Sequence, residues 1–123
     1  MGISPEGTRL MHHDNHAMDA CIQACLDCHR SCLATMAHCL TKGGSHAEAR
    51  HIQLMLDCAQ ICGVCADFMI RGSDHCADVC RACTDICRAC ATSCADHGDA
   101  DDMMRACAAA CTRCADECAK MAG

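Results

Sequence analysis

The spacing of the cysteines constrains the fold of this chain more than any other feature. Eighteen of its 123 residues are cysteines, and they occur in four groups with steps of three or four residues, apart from one step of seven. Such steps keep side chains on one face of an α-helix, within an arc of roughly 80°. Leu or Ile usually occupies these positions in a helical bundle. The four groups are Cys21, Cys25, Cys28, Cys32 and Cys39; Cys58, Cys62 and Cys65; Cys76, Cys80, Cys83, Cys87, Cys90 and Cys94; and Cys107, Cys111, Cys114 and Cys118.

Helix breakers separate these groups and predict where each helix begins and ends. Pro5 and Gly7 predict an irregular segment over residues 1–13, and Gly43, Gly72 and Gly98 predict the ends of the first three helices. We expect helices over about residues 14–40, 46–71, 74–96 and 100–121. One domain over residues 1–123 is therefore predicted, of the all-α class: an antiparallel up-down-up-down four-helix bundle with a Cys-lined core.

Capping residues support two of these helix starts. Ser45, with Glu48 three residues later, predicts a capping box at the start of the second helix. Ser73 predicts the N-cap of the third helix, with Asp74 in a first turn where the helix dipole favours an anion.

Ordinary core residues are scarce, since Leu, Ile, Val and Phe together number 15. A protonated cysteine behaves as a small hydrophobe, so a thiol-lined seam can hold the helices together before any metal binds. Gly63 lies inside a predicted helix, where it is either tolerated or leaves room for a crowded metal layer; we favour the second reading. A second apolar stripe is expected to pack between helices, and its members are Ile22, Leu26, Leu33, Leu40, Leu54, Ile61, Phe68, Val79 and Ile86.

Charge and hydropathy indicate which partners and which cellular compartment this chain favours. The formal net charge of −6 offers no basic stripe to neutralise the phosphates of a nucleic acid. No apolar stretch approaches the roughly 18 residues of a membrane span, and the N-terminal sequence has no signal core. We therefore expect a cytoplasmic protein without a membrane or nucleic-acid partner. In that reducing compartment cysteines indicate metal more often than disulfides, although disulfides between helices stay an alternative.

Cysteines four residues apart on one helix suit linear coordination of Cu(I). Two sulfurs on opposite sides of one ion, with bonds of about 2.3 Å, are roughly 4.6 Å apart, within reach of such a pair. Cu(I) favours thiolate and thioether ligands and accepts two or three of them. One monovalent ion per thiolate keeps a dry tube neutral, which predicts a capacity on the order of one Cu(I) per cysteine. Zinc or another thiophilic metal remains an alternative, and an iron–sulfur cluster fits less well.

The repeated CxxxCxxC motif resembles that of a known family, the copper storage proteins. The motif occurs with first residues Cys21, Cys58, Cys76, Cys83 and Cys107. The resemblance implies high-capacity cytosolic storage of Cu(I) inside a Cys-lined four-helix bundle, commonly assembled as a tetramer. Such a store exchanges Cu(I) with donors and acceptors such as a copper chaperone or low-molecular-weight thiols. The second helix departs from the pattern, with three cysteines and with Met55 and Met69 continuing its seam.

Extending the seam in antiparallel register gathers soft ligands at both ends of the bundle. At one end we hypothesise a Cu(I) uptake site of His51, Met55, His97 and Met104, which bind Cu(I) loosely enough to pass it inward. Methionine is also a common core filler, and an exposed histidine is usually solvated. The uptake end also collects Met36, Cys39, Cys94, Met103 and Cys107; the opposite end collects Met18, Met69, Cys76, Cys118 and Met121. A flexible tail is expected to carry His12, His13 and His16.

Other functions have weaker support in the sequence. A thiol redox protein would use CxxC pairs such as Cys62 and Cys65, but no strand–helix pattern surrounds them and no pair stands apart. A metal-responsive regulator would need a basic or helix-turn-helix segment. No carboxylate pair or Ser/His/Asp set indicates hydrolysis, so we predict that the protein is not an enzyme.

Overall fold

Four long helices make up the computed structural model, which describes the backbone of residues 5–122 and the side chains of residues 16–122. Helix α1 spans Pro5–Lys42, α2 spans Ala49–Ile70, α3 spans Cys76–Ala95 and α4 spans Asp102–Ala122. A short 3₁₀ turn, Gly44–Ala47, connects α1 to α2, and the described residues contain no strand. Both α1 and α3 pack against α2 and α4. The predicted all-α four-helix bundle with a Cys-lined core is confirmed.

Helix α1 begins earlier than the sequence predicted. It starts at Pro5, so the irregular segment expected over residues 1–13 is wrong from residue 5 onward, while residues 1–4 lie outside the described part of the chain. Proline is favoured in the first turn of a helix because its N–H would be unpaired there and its φ is already helical. Gly7 is tolerated inside the helix at a cost of roughly 1 kcal/mol relative to Ala.

The start of α2 differs from the predicted capping box. Because Gly44–Ala47 forms a 3₁₀ turn, Ser45 lies before the helix, and its hydroxyl donates a hydrogen bond to the Asp99 carboxylate. Glu48 is the N-cap instead, and its Oε1 accepts the backbone N–H of His51 at 3.1 Å. The Ser45 hydroxyl, predicted from the local pattern to cap α2, is therefore bonded instead to Asp99, which is distant in the sequence.

The start of α3 is also later than predicted. Ser73 Oγ accepts the backbone N–H of His75 at 3.0 Å, which closes a turn before the helix. Helix α3 then begins at Cys76, with His75 as an N-cap that makes no side-chain hydrogen bond.

Cysteine and alanine fill the core, and the neighbouring leucines of α1 point away from it. Leu26, Leu33 and Leu40 have exposed fractions of 42%, 37% and 53%, so the prediction that they pack between helices is wrong. Small core side chains let the helix axes approach closely. The bundle is therefore thin, and side chains beside the seam are not covered by the neighbouring helices. The rest of the predicted stripe is partly buried: Ile22, Leu54, Ile61, Phe68, Val79 and Ile86.

Gly63 makes room for a histidine on the neighbouring helix. A Cβ at this position would lie 3.3 Å from Nδ1 of His29. The same ring nitrogen is 2.7 Å from the carbonyl oxygen of Ala59, to which it donates a hydrogen bond from α1 to α2. The expectation that Gly63 leaves room for a metal layer is therefore wrong, because its open side faces His29.

Within the described residues, α2 is the one helix long and apolar enough to span a membrane. The prediction that no apolar stretch approaches the length of a membrane span is therefore wrong for α2. Part of the apolar surface of α2 is its buried face in the bundle, whereas Leu56, Val64 and Ile70 are exposed. The buried face includes Met55, Cys58, Ala59, Cys62, Cys65, Ala66 and Met69.

Gly43 ends α1 with a positive φ of 71° and ψ of −164°, a backbone conformation that favours glycine, and its N–H is 3.0 Å from the carbonyl oxygen of Cys39. We expect Gly43→Ala to lower the free energy of unfolding by about 1 kcal/mol, because a Cβ is strained at positive φ. Gly98→Ala is the matched control, since Gly98 has no positive φ and no atom within 4 Å of an added Cβ. Urea unfolding of the reduced, metal-free protein measures both, and equal midpoints would contradict the prediction.

Candidate metal centre

The cysteine side chains predicted to line the core do so almost without exception. Seventeen of the eighteen are buried with exposed fractions of 0–1%, and Cys76 is partly buried at the end nearer Gly72. All eighteen are free thiols. The steps of three and four turn one face of each helix toward the common axis, as the sequence predicted.

Sulfurs from different helices converge in successive groups along this axis. Within each group, all Sγ atoms lie within 4.8 Å of one another. Two groups take one cysteine from each of the four helices. The two groups nearest Gly72 share Cys118, and the two groups farthest from it share Cys28. From the Gly72 end, the groups are Cys21, Cys80 and Cys118; Cys25, Cys65, Cys83 and Cys118; Cys28, Cys62, Cys87 and Cys114; and Cys28, Cys32, Cys58 and Cys111.

Sulfur contacts between helices are as short as those within a CxxxC pair. The Sγ atoms of Cys28 and Cys32, one turn apart on α1, are 3.9 Å apart. Across helices, Cys28 Sγ lies 3.5 Å from Cys111 Sγ, and Cys62 Sγ lies 3.5 Å from Cys87 Sγ. Because two sulfurs on opposite sides of one ion are roughly 4.6 Å apart, small side-chain shifts suffice to admit an ion. Ions can therefore be held between helices as well as along one helix.

Thiol contacts and burial determine which sulfurs of the seam hold protons. Hydrogen bonds with Cys114, Cys21 and Cys25, followed by burial, raise the pKa of Cys118. The same contact with Cys118 lowers the pKa of Cys114. At the other end, burial raises the pKa of Cys39. A metal cation that replaces these protons lets the sulfurs ionise without leaving unpaired negative charge in the core.

At the uptake end, His51 lies directly beyond the cysteine seam. The ring is 3% exposed, and its Nε2 is 3.9 Å from the Sγ of Cys39. Burial, and then the neighbouring His97, lowers the pKa of His51, so the imidazole is neutral at pH 7 and able to bind metal. Its Nδ1 is 2.8 Å from the hydroxyl of Ser93. That hydrogen bond orients the ring with Nε2 toward the seam.

His97 is close to this site but is engaged in the surrounding turns. Its ring centroid lies 5.1 Å from that of His51 and 5.4 Å from that of His46. The Nδ1 atom accepts the backbone N–H of Asp99 at 3.0 Å, so Nε2 carries the proton and donates to the carbonyl of Ser45 at 2.9 Å. Both ring nitrogens are thus occupied, and His97 binds metal only after one of these hydrogen bonds breaks.

The other residues predicted at the uptake end are divided between core and surface. Met55 and Met104 are fully buried, whereas Met103 is 37% exposed and lies outside the seam. Cys39, Cys94 and Cys107 are buried, and Met36 is partly buried against the core. His12 and His13 have backbones in α1 and side chains outside the described part of the chain, and the His16 side chain is exposed.

One polar link at this end escaped sequence reasoning. Asp101 Oδ2 lies 2.7 Å from Nε2 of His38, and its Oδ1 accepts the backbone N–H of Met104 at 3.0 Å. The hydrogen bond from His38, followed by that from Met104, holds the pKa of Asp101 below its usual range. Asp101 therefore caps α4 and joins it to α1. In the sequence, the one sign of this role is the pair Asp101 and Asp102 at the start of the fourth helix.

A four-helix bundle with groups of buried thiols along its axis defines a thiolate metal-binding protein. A family model described as copper storage protein matches residues 14–123 of the chain. The chain belongs to the copper storage protein family.

Solved structures agree with this assignment. The Nmul_A1745 protein from Nitrosospira multiformis is 44% identical, with a TM-score of 0.82 over 88% of this chain and 96% of that chain. The Cu(I)-bound copper storage protein BsCsp3 from Bacillus subtilis is 37% identical, with a TM-score of 0.81 over 87% and 99%. A cytosolic copper storage protein from Streptomyces lividans, solved with five coppers, is 32% identical, with a TM-score of 0.83 over 90% and 96%.

Proposed function

We propose that this protein is a high-capacity store of Cu(I) in the cytosol, with its eighteen cysteines as the ligands. The convergence of Sγ atoms into successive groups along the axis is the observation that carries the proposal. Because Cys118 belongs to two neighbouring groups and Cys28 to two others, an ion bound in one group of such a pair lies next to an ion bound in the other. Membership of the family and the Cu(I) bound by a relative of 37% identity support copper as the stored ion.

Charge favours Cu(I) over zinc in this seam. Four thiolates around one divalent ion leave two negative charges in a buried site unless every thiolate bridges two ions, and sulfurs that repeat along a helix face supply that geometry less readily. One Cu(I) per thiolate leaves no excess charge, so the expected capacity is on the order of one ion per cysteine. Sequestration of zinc or another thiophilic metal is the alternative, and it predicts about half that number of ions.

We further propose that the protein exchanges copper without catalysing a reaction. A Cu(I)–sulfur bond to a carrier breaks as a bond to a cysteine forms, and the proton of that cysteine passes to the released carrier thiolate. Copper stays Cu(I) throughout, so no oxidant or reductant is needed. Carriers of this chemistry are low-molecular-weight thiols or a copper chaperone with exposed thiolates.

Capacity tests the assignment of the seam. Anaerobic titration of the reduced protein with Cu(I), against a chromophoric chelator, is expected to show tight uptake of around one ion per cysteine. Replacing Cys28, Cys62, Cys87 and Cys114 together with Ser is expected to lower the capacity by about four ions on the same charge argument. The matched control places four serines at exposed alanines, one in each helix: Ala34, Ala49, Ala89 and Ala109.

Two results would contradict the proposal. One is a capacity that the four-cysteine variant leaves unchanged relative to the alanine control, which would mean that the seam is structural. The other is displacement of the bound copper by equimolar zinc, which would assign the seam to a different metal.

We propose that copper enters at His51 and reaches the seam past Met55 and Met104. An open groove of about 400 Å³ runs beside His51, and Glu48 and Ser93 are among its lining residues. The carboxylate of Glu48 favours the approach of a cation, and the neutral His51 ring lies next to Cys39. In this scheme His97, which lies against His51, binds copper only after its hydrogen bond to Ser45 or to Asp99 breaks.

Uptake kinetics test this route. Replacing His51 with Ala and Met55 and Met104 with Leu, all together, is expected to slow Cu(I) uptake roughly tenfold while the cysteine capacity is kept, because the guiding ligands are lost. Met103→Leu is the control, since Met103 belongs to the same end but is exposed. Stopped-flow mixing with a Cu(I)–chelator complex measures the rates, and equal rates for the triple variant and the control would exclude the route.

We propose that copies of the chain associate through the outer face of α1 and α2, as the tetramer of the resembling family suggests. Leu26, Leu33 and Leu40 are exposed at intervals of seven residues on α1, and Leu56 and Ile70 are exposed on the adjacent α2 at 37% and 62%. Exposed apolar side chains grouped on two adjacent helices are typical of a protein interface.

Substituting Leu33 and Leu40 together with Glu is expected to shift the protein toward monomer, because two charges would be buried in the contact. Ala89→Glu, at an exposed position of α3, is the control. Size-exclusion chromatography with light scattering gives the masses. A double variant that keeps the mass of the parent protein would place the interface elsewhere.

A further inference from the structure

Each helix carries one more sulfur at the end nearer Gly72, beyond the last thiol group. Met18 precedes Cys21 by three residues on α1, and Met121 follows Cys118 by three on α4. Likewise Met69 follows Cys65 by four residues on α2, and Cys76 precedes Cys80 by four on α3. Such steps continue one helix face by one turn. The four residues Met18, Met69, Cys76 and Met121 therefore form a layer, here called the methionine layer, with one sulfur from each helix.

The methionine layer lines an opening to the solvent. A cavity of about 400 Å³ at the Gly72 turn is bounded by all four of its residues, together with Ile70, Arg71, Gly72 and Ser73. Met69 is 2% exposed, at the inner side of the layer, while Met18, Cys76 and Met121 are partly buried. The sulfurs thus lie between the solvent and the innermost part of the seam.

Cys76 differs from the other seventeen cysteines in its surroundings. It is the one that is not fully buried, and its Sγ donates to the carbonyl oxygen of Phe68 at 3.4 Å. One turn further along α3, Cys80 belongs to the group of Cys21, Cys80 and Cys118. Cys76 is therefore placed as the outermost thiol, adjacent to a complete group of three.

We propose that the methionine layer is a second Cu(I) site, through which copper exchanges with the solution at this end of the bundle. The proposal rests on the proposed storage of Cu(I) in the seam. Cu(I) accepts two or three soft ligands, and the thioethers of Met18, Met69 and Met121 with the thiolate of Cys76 supply them. One thiolate balances one Cu(I), whereas the thioethers add no charge. The layer therefore binds copper less tightly than the multi-thiolate groups next to it.

Exchange at the methionine layer is a ligand substitution without electron transfer. The bond between Cu(I) and the carrier sulfur breaks as the bond to Cys76 forms, and the Cys76 proton passes to the carrier thiolate. The ion then moves to Cys21, Cys80 and Cys118, and the proton that one of these thiols loses passes to Cys76. Arg71, which lines the same cavity, favours carriers that bring Cu(I) as an anionic complex.

Methionine replacement separates this role from simple packing. Leu fills nearly the same volume as Met but binds no metal, so a Met18→Leu, Met69→Leu, Met121→Leu variant keeps the core and removes the thioethers. Removal of Cu(I) from the loaded protein by the anionic chelator bathocuproine disulfonate is expected to slow at least roughly tenfold in this variant. Cys76→Ser is expected to produce the same slowing. Met103→Leu, at the opposite end, is the control and is expected to release copper at the parent rate.

Nuclear magnetic resonance of ¹³C-methyl methionine gives a direct readout of binding. During titration with Cu(I), the ε-methyl signals of Met18, Met69 and Met121, assigned from the single Leu variants, are expected to shift in the parent protein. In Cys76→Ser those shifts are expected to be reduced, while the signal of the exposed Met103 stays in place in both.

The outcomes distinguish this proposal from the storage function. Suppose that the seam fills with copper in every variant, and that the methionine variant and Cys76→Ser both release copper at the control rate. The layer is then core filler, and the proposal is overturned. Methyl shifts that are the same with and without Cys76 would overturn it too. If the parent protein binds only a few ions, the storage function itself fails, and the proposal built on it fails as well.

Discussion

Buried thiols from four helices touch along the bundle axis, and the rest of the structure depends on this contact. As neutral groups, the thiols are small hydrophobes that let the helices pack closely with few large side chains. As thiolates without cations, they would repel one another in a dry interior. A monovalent cation in place of each proton leaves the charge of the core unchanged. One seam can therefore serve as the hydrophobic core of the metal-free protein and as the ligand set of the loaded one.

The cysteine positions could be read from the sequence because steps of three and four residues allow only one helix face. The breakers between the groups then predicted four helices and, with short connections, their antiparallel order. What the sequence could not supply was the distance between sulfurs on different helices. The 3.5 Å contact between Cys28 and Cys111 depends on how far α1 and α4 slide past each other, and no local pattern encodes that register.

Three of the wrong predictions have a common physical cause, since each judged a residue by its neighbours in the chain. Ser45 has good local capping geometry in the sequence, yet its hydroxyl bonds to Asp99, 54 residues away. Leu26 and Leu40 lie beside the seam on a helical projection, but a core built from Cys and Ala is too thin to cover them. Gly63 was predicted to leave room for metal in the seam, although the side chain that occupies the space beside it is the His29 ring on α1.

The sharing of Cys28 and Cys118 between groups has a consequence for the order in which sites fill. A sulfur that belongs to two groups loses its proton only once. The shared thiol is therefore deprotonated when the first ion binds in either group. The second ion then binds to a group in which one ligand is already a thiolate. In a store of this kind, ions therefore fill the two groups that share a sulfur one after the other, and the partly filled protein has filled pairs of groups instead of scattered single ions.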